Sequence, residues 1–280
     1  MPSSSLLGAS YMLREGKSLR ASVVDVGVVK KYISIAAKKL IEYRAQTLYL
    51  GVFVLLSVFV YPTLWYGLAK KFGSLNGWTF PTLFLLGSLT NLMFAIIDFI
   101  GLFNIYSLFK DNGRTVLTVY MTRPYSVMKQ VLLSNIDATA LGRIVPELIL
   151  VSIIIIYFKI NIGLNFFLAF FMGVSAFSAF LIMLIAGLFA LDKSGEGLIR
   201  VAWTGVRFAA MPLNQLSGFA QAMLYIITPI AFIGSVPAST VFNSLSIGMV
   251  ELWLLSIAFS SILTLIFLRS FKKNFEAIGG

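Results

Sequence analysis

Several apolar runs in this chain approach or exceed about 20 residues, the length that a helix needs to cross ~30 Å of hydrocarbon. Of the 280 residues, 59% are hydrophobic and only 12% are charged, whereas about a quarter of the residues of a soluble domain are charged. A soluble core of this apolarity would precipitate. The chain is therefore predicted to be an all-α membrane protein that crosses the bilayer several times.

The apolar runs predict six membrane-spanning helices, which together form a transmembrane domain over residues 47–268. The spans cover approximately residues 47–69, 80–105, 137–158, 164–191, 198–213 and 247–268, and the fifth is the weakest. Residues 1–27 are predicted to form a cytoplasmic N-terminal extension, and residues 269–280 a cytoplasmic tail. Residues 1–27 carry no continuous apolar core, so no cleavable signal peptide is expected.

Residues 28–46 have the periodicity of a basic amphipathic helix suited to the membrane surface. A solvated linker with chance periodicity is the alternative. One face of the helical wheel carries Val29, Tyr32, Ile33, Ala36, Leu40 and Tyr43, and the other carries Lys30, Lys31, Ser34, Lys38 and Glu42.

The distribution of basic residues predicts the orientation. The net charge is +11, from 22 Lys and Arg against 11 Asp and Glu. Six spans place both termini on one side, and the opposite side carries only Lys70, Lys71 and Lys159. Because cytoplasmic loops are enriched in Lys and Arg, both termini are expected in the cytoplasm, with the protein in a plasma or inner membrane. No nucleic-acid partner is expected.

The chain contains no Cys and no His, which excludes disulfides, thiol chemistry and imidazole-based sites. It also contains no G-x-x-x-x-G-K-[ST] phosphate-binding loop. We therefore expect no metal site, no bound cofactor and no enzymatic activity of this chain. If ATP drives it, another chain must bind the nucleotide.

Ionisable residues within the predicted spans are candidates for a translocation path, because such groups are costly in hydrocarbon unless they are paired or hydrated. The alternative is a structural role near the interface or between helices. Arg143 and Glu147 have i,i+4 spacing and are predicted to be able to pair. The full set is Asp98, Arg143, Glu147, Arg207 and Glu251.

The stretch from Met211 to Ser239 is apolar but is interrupted by Pro212, Pro229 and Pro237. Broken backbone at membrane depth is tolerated only where it is buried in protein, lines a wet cavity or lies at the interface. This segment therefore indicates a protein that moves a substrate rather than a simple anchor.

The predicted cytoplasmic loop at residues 106–135 is too long for a simple turn. It mixes apolar and aromatic residues with basic ones, a composition that suits docking onto a partner. Packing against the protein's own interfacial helix is the alternative.

The order of these features resembles the permease subunit of a type-2 ABC exporter, in the uncharacterised, drug-export-linked branch of the ABC-2 family. The resemblance covers about residues 28–275 and includes Leu40–Ala45 at the end of the amphipathic helix. Gly113, Arg123 and Pro124 match the first cytoplasmic loop, although Arg114-Thr115 replaces the usual leucine near the glycine. Met211-Pro212-Leu213, Thr228–Ile233 and Pro237-Ala238 match the segment before the last span, with Met211 and Thr228 departing from the pattern.

The resemblance implies a type V ABC exporter-like fold with re-entrant outer helices at residues 212–240, between spans five and six. It implies two ATPase subunits that bind ATP and Mg, and a second permease chain, with a heterodimer favoured over a homodimer. Residues 28–46 would be the interfacial connecting helix. ATPase coupling would involve Gly113, Arg114, Tyr120, Arg123, Pro124 and Tyr125. The outer gate would include Pro212, Pro229, Phe232 and Pro237.

The function favoured by these observations is ATP-driven export of an amphiphilic or lipophilic substrate: a drug, an antibiotic or a lipid-like molecule. The 25 Phe and 11 Tyr offer an aromatic lining with few fixed charges, whereas a sugar or ion path needs a more polar one. An ion-coupled secondary transporter that uses Asp98 and Glu147 is the alternative, although no internal repeat supports it. The lack of His, Cys and a carboxylate cluster argues against an enzyme.

Overall fold

The computed structural model describes residues 26–72, 77–100, 130, 136–191, 207–213, 216 and 218–274, and over these residues the chain is helical without strands. Short 3-10 helices cover Ala138–Ala140, Arg207–Ala210 and Ile230–Phe232. The α-helices are α1 (Val26–Glu42), α2 (Arg44–Phe72), α3 (Phe80–Phe99), α4 (Leu141–Tyr157), α5 (Leu164–Leu191), α6 (Gly218–Ile226), α7 (Ser235–Ser239) and α8 (Ile247–Asn274).

Four stretches of helix are long and apolar enough to cross a membrane: Phe80–Phe99, Ala138–Tyr157, Leu164–Ala190 and Ile247–Phe271. They correspond to the predicted second, third, fourth and last spans, so the all-helical membrane fold is confirmed. The predicted first span lies within the 29 residues of α2. Most of the predicted fifth span lies outside the described residues, and the count of six remains a prediction.

The helix ends define two ends of the bundle. At one, the Phe80 and Phe158 rings lie 6.4 Å apart, and the Trp78 and Phe242 rings 5.2 Å apart. We call this the aromatic end. At the other, Asp98 near the end of α3 pairs with Arg143 near the start of α4. We call this the ion-pair end, and α1 packs there against Ala138–Ala140.

Helices α3 and α5 form the interior of the bundle. In the most apolar stretch of α3, 72% of the residues are buried, against 11% in that of α8. Helix α5 packs against α8, α3, α7 and the 3-10 helix at Ile230–Phe232. The outward faces of α4 and α8 are apolar and exposed, as expected for helices in contact with lipid. The polar and irregular parts of the chain that lie inside the bundle are therefore those around α3 and α5.

Candidate functional site

Asp98 and Arg143 form an ion pair that joins α3 to α4 at the ion-pair end. Asp98 is nearly buried, and the Arg143 side chain is 23% exposed. A charged group inside a membrane protein is tolerated when an opposite charge compensates it. Pairing between helices, one of the two roles predicted for these residues, is therefore what the structure shows for Asp98 and Arg143.

Glu147 and Arg143, whose spacing predicts that they are able to pair, are not paired with each other in this structure. The Glu147 side chain is fully buried, and neither carboxyl oxygen has a hydrogen bond of acceptable geometry within the described residues, although the Asn91 side chain interacts with it. The physical reason is that Glu147 shares a buried face of α4 with Val151 and Ile154. Asp98 offers Arg143 a carboxylate from the neighbouring helix instead.

Of the other two ionisable residues, Glu251 lies apart from this ion pair. It is exposed near the start of α8, at the aromatic end. Arg207 begins the 3-10 helix Arg207–Ala210, and its side chain lies outside the described residues. Among the predicted residues whose side chains are described, Asp98 and Arg143 are paired, and Glu147 lies one helical turn after Arg143 on α4.

Two parts of the proline-interrupted segment (Met211–Ser239) lie inside the bundle. Pro212 and every residue from Pro229 to Ala238 are buried. A Cβ on Gly173, ten residues into α5, would lie within 3.0 Å of the Phe232 carbonyl oxygen, and one on Gly234 would meet Thr90, in the middle of α3. The segment therefore reaches the middle of two spans, at a depth where hydrocarbon could not satisfy its backbone.

Protein groups satisfy part of this irregular backbone. The Thr90 hydroxyl donates to the Ala209 carbonyl oxygen at 3.3 Å, and the Leu213 N–H donates to the Ser235 hydroxyl oxygen at 3.4 Å. Within the segment, the Phe232 N–H donates to the Pro229 carbonyl oxygen at 3.3 Å. Buried polar groups that are hydrogen-bonded avoid most of the desolvation penalty, so the break is compatible with this depth.

The predicted gate residues face the interior of this chain. Phe232 is fully buried, and its ring stands perpendicular to that of Tyr225, with centroids 5.3 Å apart. The exposed apolar residues near it lie on α6 and directly after its end: Phe219 of α6 is 76% exposed, and Met223 of α6 and Ile227, the residue after α6, are both 37% exposed. Their spacing of four residues places them on one helix face, whereas α6 also packs against α8.

Two contacts between spans were not predicted from the sequence. The Trp253 indole N–H of α8 donates to the Ser175 hydroxyl oxygen of α5 at 3.0 Å. Gly51 of α2 and Gly142 of α4 meet closely, because a Cβ on Gly51 would lie 2.7 Å from the Gly142 carbonyl oxygen. Small residues within apolar runs are the available sequence signal, since they let membrane helices approach closely.

The predicted ATPase-coupling residues lie outside the described residues, and their role stays a prediction. They are Gly113, Arg114, Tyr120, Arg123, Pro124 and Tyr125.

Comparison with known proteins supplies the family. No curated protein and no solved structure matches the chain. The family model described as ABC-2 family transporter protein matches residues 32–278, which includes every described span, the ion-pair end and the proline-interrupted segment. The chain belongs to the ABC-2 family of transporter proteins and is a permease subunit of this type.

Proposed function

We propose that this permease exports an amphiphilic or lipophilic substrate, such as a drug, an antibiotic or a lipid-like molecule, and that a separate ATPase powers it. The observation that carries the proposal is the irregular segment buried between α3 and α5, in a chain that matches the ABC-2 family over residues 32–278. A simple anchor does not need broken backbone at the middle of its spans.

The charge distribution supports an amphiphilic rather than an ionic substrate. Among the described spans, the charged side chains in the interior are confined to Asp98, Arg143 and Glu147, and two of these neutralise each other. Around the buried segment the side chains are aromatic and aliphatic, with Phe177, Phe232 and Tyr225 among them. These core side chains would present an aromatic and aliphatic surface to a path that opens beside them, and such a surface favours apolar or aromatic groups over hydrated ions.

The energy source is proposed to be two ATPase subunits that bind ATP and Mg and dock at residues 106–135. The family supports association with an ABC ATPase. The ion-pair end, where α1 packs against Ala138–Ala140, is then the cytoplasmic end, consistent with the enrichment of Lys and Arg near the termini.

The exit is proposed to lie between this chain and a second permease, with a heterodimer favoured. In this arrangement the exposed residues Phe219 and Met223 of α6 and Ile227 directly after it are the ones positioned to meet the second chain. The buried Phe232 packs against Tyr225 of α6, and Pro229 and Pro237 lie on either side of Phe232 in the chain. The prolines are thus expected to control opening and sealing of the exit rather than substrate affinity.

The first experiment co-purifies the permease with the products of its neighbouring genes and measures ATP hydrolysis and transport in lipid vesicles. We expect an ATPase to bind and transport to require ATP. Transport that collapses with a proton uncoupler, in the absence of any bound ATPase, would contradict the proposal and favour a secondary transporter.

The second experiment tests the coupling loop with the double variant Arg123→Glu and Tyr125→Ala. We expect the variant to lose the ATPase while the permease remains monodisperse. The matched control is Lys159→Glu with Tyr157→Ala, which changes an exposed basic–aromatic pair at the aromatic end and should retain the ATPase. Retention of the ATPase by the loop variant would overturn the docking assignment.

The third experiment tests the gate with Pro237→Ala. We expect altered leak or transport rate with an unchanged substrate concentration for half-maximal transport. Pro81→Ala is the control, because Pro81 lies in the first turn of α3, where proline has no backbone bond to remove. A change confined to apparent substrate affinity would count against a gating role.

A further inference from the structure

Two carboxyl groups lie near Arg143, those of Asp98 and Glu147, but Arg143 pairs with only the first of them. Its guanidinium pairs with Asp98 of α3, and its Nε has no hydrogen-bond partner within the described residues. Glu147 follows one helical turn later on α4, about 6 Å along the axis, where an i,i+4 neighbour can be contacted. The second acceptor is therefore present but not engaged.

Glu147 is incompletely partnered in this arrangement. Its carboxyl group is fully buried, and neither oxygen has a hydrogen bond of acceptable geometry among the described residues, although the Asn91 side chain of α3 interacts with it. A buried polar group without its full complement of partners is costly. A different arrangement of the helices would give the carboxyl group the full partner that it lacks here.

We propose that Arg143 exchanges partners during the transport cycle. It pairs with Asp98 while α3 and α4 are closed at the ion-pair end, and with Glu147 when the two helices separate there. The exchange keeps the guanidinium paired in both arrangements, so the separation does not strand a charge inside the protein. Glu147 is thus a positioning residue that makes the movement possible. The inference rests on the proposed transport function, because only a transport cycle calls for this movement.

The helix contacts allow such a movement. Asp98 and Arg143 lie close to the ends of their helices, and the Arg143 side chain remains 23% exposed, so the guanidinium can turn from Asp98 to Glu147 as the helix ends separate. By contrast, Gly51 and Gly142 hold α2 and α4 in close contact. We therefore expect α4 to stay with α2 while the end of α3 moves away from both.

The test is a double-mutant cycle on the permease without its ATPase, read by thermal unfolding in lipid–detergent micelles. Asp98→Asn is expected to lower Tm by about 2–4 °C, the shift that corresponds to the loss of roughly one modest interaction in a chain of similar size. Glu147→Leu is expected to lower Tm by less than Asp98→Asn does, because it removes only the interaction with the Asn91 side chain. Glu251→Gln, which neutralises an exposed carboxylate on α8, is the control.

The double variant decides the question. If Glu147 accepts Arg143 once Asp98 is neutral, the combined Tm loss exceeds the sum of the single losses by at least about 3 °C, since coupled residues depart from additivity. Failure of only the double variant to fold has the same meaning. Additive losses, or failure of Asp98→Asn alone to fold, would overturn the proposal, because Glu147 would then not act as the second partner.

Spin labels supply an independent measurement, and the absence of native cysteine makes them straightforward. Labels at Ile100 and Val145, which are exposed beside the two helix ends, report the separation of α3 and α4. Asp98→Asn should add a longer distance to the distribution, and Glu147→Leu should not. An unchanged distribution in Asp98→Asn would overturn the proposal. Failure of the transport function itself would show separately, as absence of ATP-dependent transport in the unmodified complex.

Discussion

The Thr90 hydroxyl donates to the Ala209 carbonyl oxygen at 3.3 Å, joining the middle of α3 to the 3-10 helix directly before the proline-interrupted segment. The same hydroxyl also donates to the Leu86 carbonyl oxygen of its own helix at 2.8 Å, so the two carbonyls share it. Gly234, within the segment, lies against Thr90 as well. One threonine therefore contacts two places that are 25 residues apart in the chain.

We expect Thr90→Val to destabilise the protein by about 1 kcal/mol, because it removes an interhelical hydrogen bond and leaves the buried Ala209 carbonyl oxygen without this donor. The measurement is the free energy of unfolding in mixed micelles. Thr63→Val is the control: Thr63 is exposed on α2, and its hydroxyl donates to the Phe59 carbonyl oxygen of its own helix. Equal effects of the two substitutions would show that the contact to Ala209 contributes nothing.

Gly173→Ala is expected to be more damaging, at about 1–3 kcal/mol, because the added methyl group would overpack a filled interior. Its Cβ would lie within 3.0 Å of the Phe232 carbonyl oxygen and of the Met93 side chain. The matched control is Gly67→Ala in α2, where a Cβ meets nothing within 4 Å and helix propensity favours alanine. We expect the control to be neutral or stabilising in the same assay. A neutral result for Gly173→Ala would contradict the close packing of the segment on α5.

The helices that could be predicted from the sequence are those with long uninterrupted apolar runs. The predicted span at residues 164–191 coincides with α5, and the predicted last span begins, as α8 does, at Ile247 but ends six residues before it, at Leu268 rather than Asn274. The extension past Arg269 was missed because a helix continues wherever propensity and backbone bonding allow, whereas hydropathy marks only the part inside the hydrocarbon.

The partners of the charged residues could not be predicted in the same way. Sequence spacing identifies which residues share a face of one helix, so Glu147 was the nearest acceptor for Arg143. The choice of Asp98 depends on how α3 and α4 are aligned, which no local pattern encodes. The depth of Pro229 and Phe232 was inaccessible for the same reason, since it depends on the contacts that Gly173 and Gly234 permit.

The Trp253–Ser175 hydrogen bond should couple α8 to α5. Trp253→Phe and Ser175→Ala are each expected to destabilise by about 0.5–1.5 kcal/mol through loss of the 3.0 Å bond, with the indole also giving up its edge contact to Phe171. A double-mutant cycle measured by unfolding should give an interaction energy of about 0.6 kcal/mol, the typical value for interhelical bonds in membranes. An interaction energy of zero in this cycle would mean that the hydrogen bond is not formed in lipid.

The crossing of α2 and α4 leads to the sharpest expected loss of stability. A Cβ on Gly142 would overlap both the side chain and the carbonyl oxygen of Thr47, and because a backbone oxygen cannot move aside, the helices would have to separate. We expect Gly142→Ala to destabilise by about 2 kcal/mol or more and to lower the yield of monodisperse protein. Gly163→Ala, where nothing lies within 4 Å of the new Cβ, is the control. Thr47→Ser removes the methyl group, one of the two overlapping groups. If adding it to Gly142→Ala restores part of the lost stability, the loss arises at this crossing. No gain in stability would show that the loss arises elsewhere.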